Sequence, residues 1–126
     1  VVREPDDGYW SNVWIKKEWC MCYWGGRATP DWMFSTAYAA DASWNDMLWK
    51  HKRFNKLLVD ARAELDEKKR SEIYAELQRI VSDEGAVVIP MFAQIVLAAS
   101  DKLKYENFAS NSNFDGLKCS ERWWFA

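Results

Sequence analysis

The stretch from Trp24 to Trp32 carries the residue types best suited to binding chemistry. It reads Trp-Gly-Gly-Arg and then Ala-Thr-Pro-Asp-Trp. Two glycines without Cβ atoms let a ligand approach the backbone, and Arg27 can hold a carboxylate or phosphate with paired hydrogen bonds. The start of a helix at Thr29-Pro30 adds N–H groups and a dipole that favour an anion. We therefore predict a ligand site formed by Trp24, Gly25, Gly26, Arg27, Asp31 and Trp32.

In that site, Arg27 would face the negative group of a solute, and Trp24 or Trp32 would stack on its flat or apolar part. The alternative, equally supported by the sequence, is a plain turn between a strand and a helix, with Arg27 paired to a structural acid. No Walker pattern follows the glycines, so this is not a nucleotide loop.

Other chemistry has little support in the sequence. His51 is the single histidine and lies in a charged stretch, which is typical of a solvated helix start. Cys20 and Cys22 lack the C-x-x-C spacing of a zinc site, and no G-x-S-x-G elbow occurs. We interpret both cysteines as buried thiols. We predict no enzymatic activity, no cofactor and no metal.

Composition narrows the class of protein. The 126 residues suit one domain at most, and 49% hydrophobic with 29% charged residues is ordinary for a globular protein. A net charge of −2 gives no support to nucleic-acid binding. The nine tryptophans indicate either a ring-rich core or a ring-lined cleft, and composition does not choose between them.

Helical patterns dominate the middle of the chain. Thr29-Pro30-Asp31 predicts a capped helix through about Ala39. Pro5 predicts the start of another helix, which carries an apolar stripe at residues 9, 10, 13 and 14. Ser43 to Asp46 matches a capping pattern. A helical hairpin follows, with a first helix from Phe54 to Leu65, Asp66 capping the second helix, and a left-handed Gly85 ending it.

Short apolar runs predict the strands. Trp19 to Trp24 is apolar throughout, as in a strand buried on both faces, and Val87–Ile89 and Ile95–Ala99 are further candidates. Residues from Ser100 to Asp115 predict a loop, and the last aromatic residues should dock on the rest. Alternation of helices and strands indicates an α/β fold with parallel strands. The predicted core is Leu58, Ala61, Leu77, Ile80, Val81, Val88 and Ile89.

The stretch from Phe54 to Phe92 carries a family resemblance. It resembles the carboxy-terminal region of bacterial extracellular solute-binding proteins of the oligopeptide, dipeptide and nickel class, which feed ABC importers. The residues that carry it are Phe54, Leu57, Ala61, Asp66, Arg70, Tyr74, Gln78, Ile80 and the Ile89-Pro90-Met91-Phe92 segment.

The resemblance implies a fold, a function and a location. The fold would be the C-terminal part of a two-lobed, type II periplasmic-binding-protein fold, a helical hairpin plus a few mostly parallel strands, with residues 1–126 forming a single partial domain. The chain would capture a peptide-like or related small polar solute for the membrane subunits of an ABC importer. It would lie in the periplasm, or outside the cell on a membrane tether, and bind no nucleic acid.

One residue departs from the family pattern. In many peptide binders of this family, an Asp that pairs with the terminal ammonium of the peptide follows the sequence Trp-small-small, whereas Arg27 stands there in this chain. The substitution indicates an anionic solute. The alternative function is a free-standing α/β interaction module that self-associates through its Trp-rich surface.

Overall fold

Two long helices form the largest elements of the computed structural model, which describes residues 1–109 and 112–126. Helix α3 spans Lys52–Ala63 and helix α4 spans Glu67–Glu84. The side chain of His51 caps α3 by accepting from the Phe54 N–H at 3.0 Å. Asp66 caps α4 by accepting from the Lys69 N–H, also at 3.0 Å. The predicted helical hairpin and its Asp66 cap are confirmed.

Two short helices precede the hairpin. Helix α1 is Tyr9–Asn12 and helix α2 is Pro30–Met33, which continues as a π-helical turn over Phe34–Tyr38. Thr29 and Pro30 take the predicted N-cap and first helical positions, and Thr29 Oγ1 accepts from the Trp32 N–H. Helix α1 begins later than Pro5 because Gly8, with φ of 77°, lies in the left-handed region.

The carboxy-terminal part holds four very short elements. Their bounds, in chain order, are β1 Leu103–Lys104, α5 Asn113–Leu117, α6 Cys119–Arg122 and β2 Trp124–Phe125. The two strands pair antiparallel, so the final aromatic residues do dock on an earlier segment, with Leu103 opposite Phe125 and Lys104 opposite Trp124. Asn111, part of the predicted loop, lies outside the described residues.

The chain divides into two compact units. The first comprises Val1–Gly25 and Thr29–Val87, and the second comprises Gly26–Ala28 and Val88–Ala126. The single partial domain belongs to the hypothesis of a longer solute-binding protein and stays a prediction.

The core of the first unit lies between the hairpin and the segment after α2. The Phe34 ring meets the fully buried Phe54 ring edge-on, with centroids 5.4 Å apart. Leu77 is also fully buried. The buried cluster contains Phe34, Ala37, Tyr38, Ala39, Phe54, Leu58, Leu77, Ile80 and Val81. Five predicted core residues are therefore confirmed, since Ala61 is fully buried as well. The prediction that Val88 and Ile89 belong to the core is wrong, because these residues are 68% and 50% exposed.

The predicted fold class is wrong. Across residues 1–109 and 112–126 the sheet has only two strands, each of two residues, and they run antiparallel. Residues 19–24, 87–89 and 95–99, the three predicted strands, are irregular. A strand needs a neighbour to satisfy its backbone N–H and C=O groups, and within the described part none of these segments has one. The described chain is mostly helix and coil, not the mostly parallel α/β structure of a binding-protein lobe.

Two local predictions also fail for reasons that the contacts explain. Gly85 adopts φ −72° and ψ 146°, which is not left-handed. A Cβ atom at this position would lie within 3.0 Å of the Val81 carbonyl oxygen. Glycine is therefore required here because the backbone of residue 85 passes close to that oxygen. No helix begins at Ser43, since residues 43–44 and 46–47 form turns. The Asp46 carboxylate binds distant side chains instead.

Candidate functional site

Asp31 is the predicted site residue with the best-defined polar surroundings. The Thr29 cap and Pro30 place it in the first turn of α2. Its Oδ1 accepts from Arg62 Nε at 2.7 Å and its Oδ2 from Arg62 Nη2 at 3.2 Å. Because two parallel hydrogen bonds fix both partners, this pair ties the start of α2 to the end of α3.

Tyr74 of α4 completes the arrangement. Its hydroxyl donates to Asp31 Oδ1 at 3.3 Å. Burial raises the pKa of Tyr74, and the negative charge of Asp31 raises it further. The hydrogen bond to Asp31 likewise raises the pKa of Arg62. Both donors therefore keep their protons at neutral pH, and the carboxylate of Asp31 stays bound to α3 and α4.

An open groove lies beside this cluster, within the first unit. Its volume is about 490 Å³. We call it the Asp31 groove, and its lining residues are Thr29, Pro30, Asp31, Glu67, Arg70, Ser71, Tyr74, Ala75 and Gln78. The α4 residues recur at intervals of three and four, which places them on one face of the helix. The groove thus combines carboxylate, guanidinium, phenol and amide groups.

Arg70 is the cation of this groove. Its Nη1 donates to the Glu64 carbonyl oxygen at 3.2 Å, which holds the side chain against the turn between α3 and α4. Glu67 lies one helical turn earlier on the same face and lines the same groove. One helix face therefore offers an anionic and a cationic group about one turn apart.

Trp24 lies in a different cluster. Asp46 Oδ2 accepts from Trp24 Nε1 at 3.1 Å, from Trp14 Nε1 at 2.9 Å and from Cys22 Sγ at 3.3 Å. The Trp24 ring also contacts Trp44, with centroids 6.0 Å apart. Burial, followed by the hydrogen bond to Asp46, raises the pKa of Cys22 to about 12. The sulfur is therefore a neutral thiol that donates to a carboxylate.

The other predicted site residues are placed as follows. Gly25 is exposed and belongs to the first unit, whereas Gly26 and the half-buried Arg27 belong to the second. Trp32 lies on α2 next to Asp31 and is 55% exposed. The contacts described for Trp24 and for Asp31 share no residue. The six-residue ligand site stays a prediction, and only Asp31 of that set lines the groove.

Several charged residues in the groove or bound to Asp31 were not predicted as site residues. Arg62, Arg70 and Glu67 fall in the charge-rich stretch from Asp60 to Asp83, whose pattern is typical of solvated helix faces. The available signal was the spacing of Glu67, Arg70 and Tyr74 along one helix face. Asp31 binds Arg62 and Tyr74 but lies 31 and 43 residues from them in the sequence, so no local pattern connects these residues.

His51 has a structural role at the start of α3. Its Nδ1 accepts from the Phe54 N–H, so Nε2 carries the proton and donates to Glu84 Oε2 at 3.0 Å. The ring also stacks on Trp49. The imidazole thus joins the start of α3 to the end of α4, as a helix-start histidine rather than a general base aimed at a cavity.

Among the described residues, no group of three or more His, Cys, Asp or Glu side chains could hold a metal ion. Within the same residues, no helix combines the length and the apolar character needed to cross a bilayer. Comparison with known proteins gives no match to any family model, curated protein or solved structure.

Proposed function

We propose that this chain is a solute-binding component of an ABC importer and captures a small polar, peptide-like solute without chemical conversion. The resemblance over Phe54 to Phe92 suggests the class. The observation that carries the proposal is the Asp31 groove, where Glu67 and Arg70 lie on one helix face beside the Tyr74 hydroxyl. Its volume of about 490 Å³ is in the range of small-molecule sites.

The charges of the groove favour a solute with both an ammonium and a carboxylate group. A terminal carboxylate can pair with the Arg70 guanidinium, and a terminal ammonium can pair with the Glu67 carboxylate. Ser71, next to Arg70 in the lining of the groove, supplies a hydroxyl group for the peptide bond between the two ends. Asp31 takes no part in charge pairing with the solute, since Arg62 already binds both of its oxygens.

The importer assignment brings a partner and a location with it. The partners would be the membrane subunits of the importer, and the chain would work in the periplasm or on a membrane tether outside the cell.

Titration calorimetry with the dipeptide Ala-Ala tests the binding proposal. The free dipeptide should bind, while its carboxy-terminal amide should bind about tenfold more weakly, because a charged hydrogen bond contributes about 1.5 kcal/mol. Arg70→Gln should weaken the free dipeptide by the same factor and leave the amide unchanged.

Arg79→Gln is the matched control. Arg79 lies on the same helix and pairs with Glu76, away from the groove lining. The proposal is wrong if the dipeptide and its amide bind equally, or if Arg79→Gln and Arg70→Gln weaken binding to the same extent.

A second function is favoured by the apolar surface of the first unit. Several of its large apolar side chains before the hairpin are about half exposed or more: Trp10, Trp19, Met21, Tyr23, Trp44 and Leu48. Exposed apolar patches of this kind mark interaction surfaces. Self-association would then appear in sedimentation velocity as a concentration-dependent rise in mass that Trp19→Ser reduces. A monomer over the whole concentration range contradicts this candidate.

A further inference from the structure

Three aromatic rings of the second unit form one cluster. Tyr105 and Phe108 have centroids 5.8 Å apart, and Trp123 lies 5.7 Å from the first ring and 6.0 Å from the second. Tyr105 and Phe108 remain about half exposed. A ring cluster that keeps so much apolar surface in water has the character of a binding surface.

A buried carboxylate holds Trp123 in this cluster. Asp115 is fully buried, and its Oδ2 accepts from Trp123 Nε1 at 3.3 Å. Its Oδ1 accepts from the Ala109 N–H at 2.6 Å and from Arg122 Nη1 at 3.3 Å. The indole ring is therefore fixed by a hydrogen-bonded, charge-paired group that has no contact with solvent.

The backbone that carries Asp115 is itself unusual. Phe114, Asp115 and Leu117 have φ values of 48°, 60° and 65°, in the left-handed region that residues with a Cβ rarely adopt. Unfavourable conformations of this kind persist where the surroundings over-determine them, often beside binding sites. Here the turn aims the carboxylate at the Trp123 indole.

An open cavity of about 530 Å³ lies against the three rings. Ile95, Leu97 and Leu103 add aliphatic walls, and Asp101 is the one charged side chain among the described lining residues. Ser100 Oγ donates to Asp101 Oδ1 at 3.3 Å. The nearby Lys104 ammonium donates to the Asp101 carbonyl oxygen rather than to its carboxylate. The lining of the cavity thus combines aromatic and aliphatic side chains with one carboxylate.

We propose that this cavity binds a small aromatic amine, whose flat ring packs on Tyr105, Phe108 and Trp123 and whose ammonium group pairs with Asp101. Aromatic walls favour a flat apolar body and also attract a cation. The carboxylate at one end selects positive over neutral or negative charge. This site belongs to the second unit and is independent of the Asp31 groove.

Titration of the full chain with three indole compounds tests the proposal. The probes are tryptamine, neutral indole and indole-3-acetate. Binding of each probe is measured from the side-chain indole N–H signal of Trp123 in two-dimensional NMR. We expect tryptamine to bind most tightly, then indole, then indole-3-acetate. Asp101→Asn should weaken tryptamine about two- to fivefold, as for an exposed ion pair, and leave indole unchanged.

Two further variants separate binding from folding. Phe108→Leu keeps Asp115 and its partners and should weaken all three probes about two- to tenfold through loss of ring contact. Glu121→Gln removes the same charge as Asp101→Asn at an exposed position outside the cavity lining, and should change nothing. The proposal is overturned if none of the probes shifts the Trp123 signal, or if Asp101→Asn leaves the affinity for tryptamine unchanged.

Discussion

Replacing Leu77 by alanine tests whether the hairpin supplies the main stability of the first unit. Leu77 is fully buried, in one cluster with Phe54 and Leu58 of the facing helix. The change removes about three methylene equivalents, each worth about 0.8 kcal/mol on burial, so transfer alone gives about 2.4 kcal/mol. The cavity left behind raises the expected loss in the free energy of unfolding to about 2–5 kcal/mol.

Urea unfolding followed by circular dichroism at 222 nm measures this loss, because α3 and α4 contain most of the regular helix. The matched control is Leu65→Ala, the same substitution at a residue that is 90% exposed. Its expected loss is below about 0.5 kcal/mol. A loss below about 1 kcal/mol for Leu77→Ala would refute the packing described here.

Three other predictions concern separate features of the chain. Gly85→Ala should destabilise the chain by about 1–3 kcal/mol because its Cβ would collide with the Val81 carbonyl oxygen, whereas Gly26→Ala, with nothing within 4 Å of the added atom, should change little in the same urea titration. The pKa of Cys22 is about 12 in the folded chain against an ordinary value of 9.0, so above about pH 9 the unfolded thiol releases its proton first and stability falls as pH rises. Between pH 8 and pH 10.5 the free energy of unfolding should therefore fall less for Cys22→Ser than for the unchanged chain. An equal fall for both chains would contradict the raised pKa of Cys22. Arg27→Ala should leave the calorimetric affinity for Ala-Ala unchanged, because Arg27 does not line the Asp31 groove; a loss of about ten- to a hundredfold with the fold intact would instead support the six-residue site predicted from the sequence.

The helices were predictable because their signals are local. Phe54, Leu58 and Ala61 repeat at the helical period, and the Asp66 cap and the Thr29-Pro30 start each act within three or four residues. Elements of this kind need no distant partner to define their ends.

The strands were not predictable from the same sequence. An apolar run such as Trp19 to Trp24 has no periodicity that separates a strand from an irregular segment. Whether it becomes a strand depends on a neighbouring strand, and the described residues supply none. The rings of this run instead meet Trp10, Trp14 and Trp44.

The site was predictable only in part. Asp31 stands out because it follows a helix start, and it does line a groove. Its contacts with Arg62 and Tyr74 depend on how three helices pack, which no short motif encodes. Asp46 fitted a capping pattern, yet two distant indoles and a thiol bind its carboxylate.

The shared carboxylate oxygen of Asp46 makes three side chains energetically interdependent. Trp14, Cys22 and Trp24 all donate to the same Oδ2 atom, so each donor competes with the other two for its lone pairs. Removal of one donor lets the remaining two bind more closely, and the losses from single substitutions should sum to less than the loss from Asp46→Ala. A double-mutant cycle on Trp14 and Trp24 would then give a non-zero coupling energy. Substitutions at these positions would consequently be accepted or rejected as a set, and the tolerance of any one position would depend on which residues occupy the others.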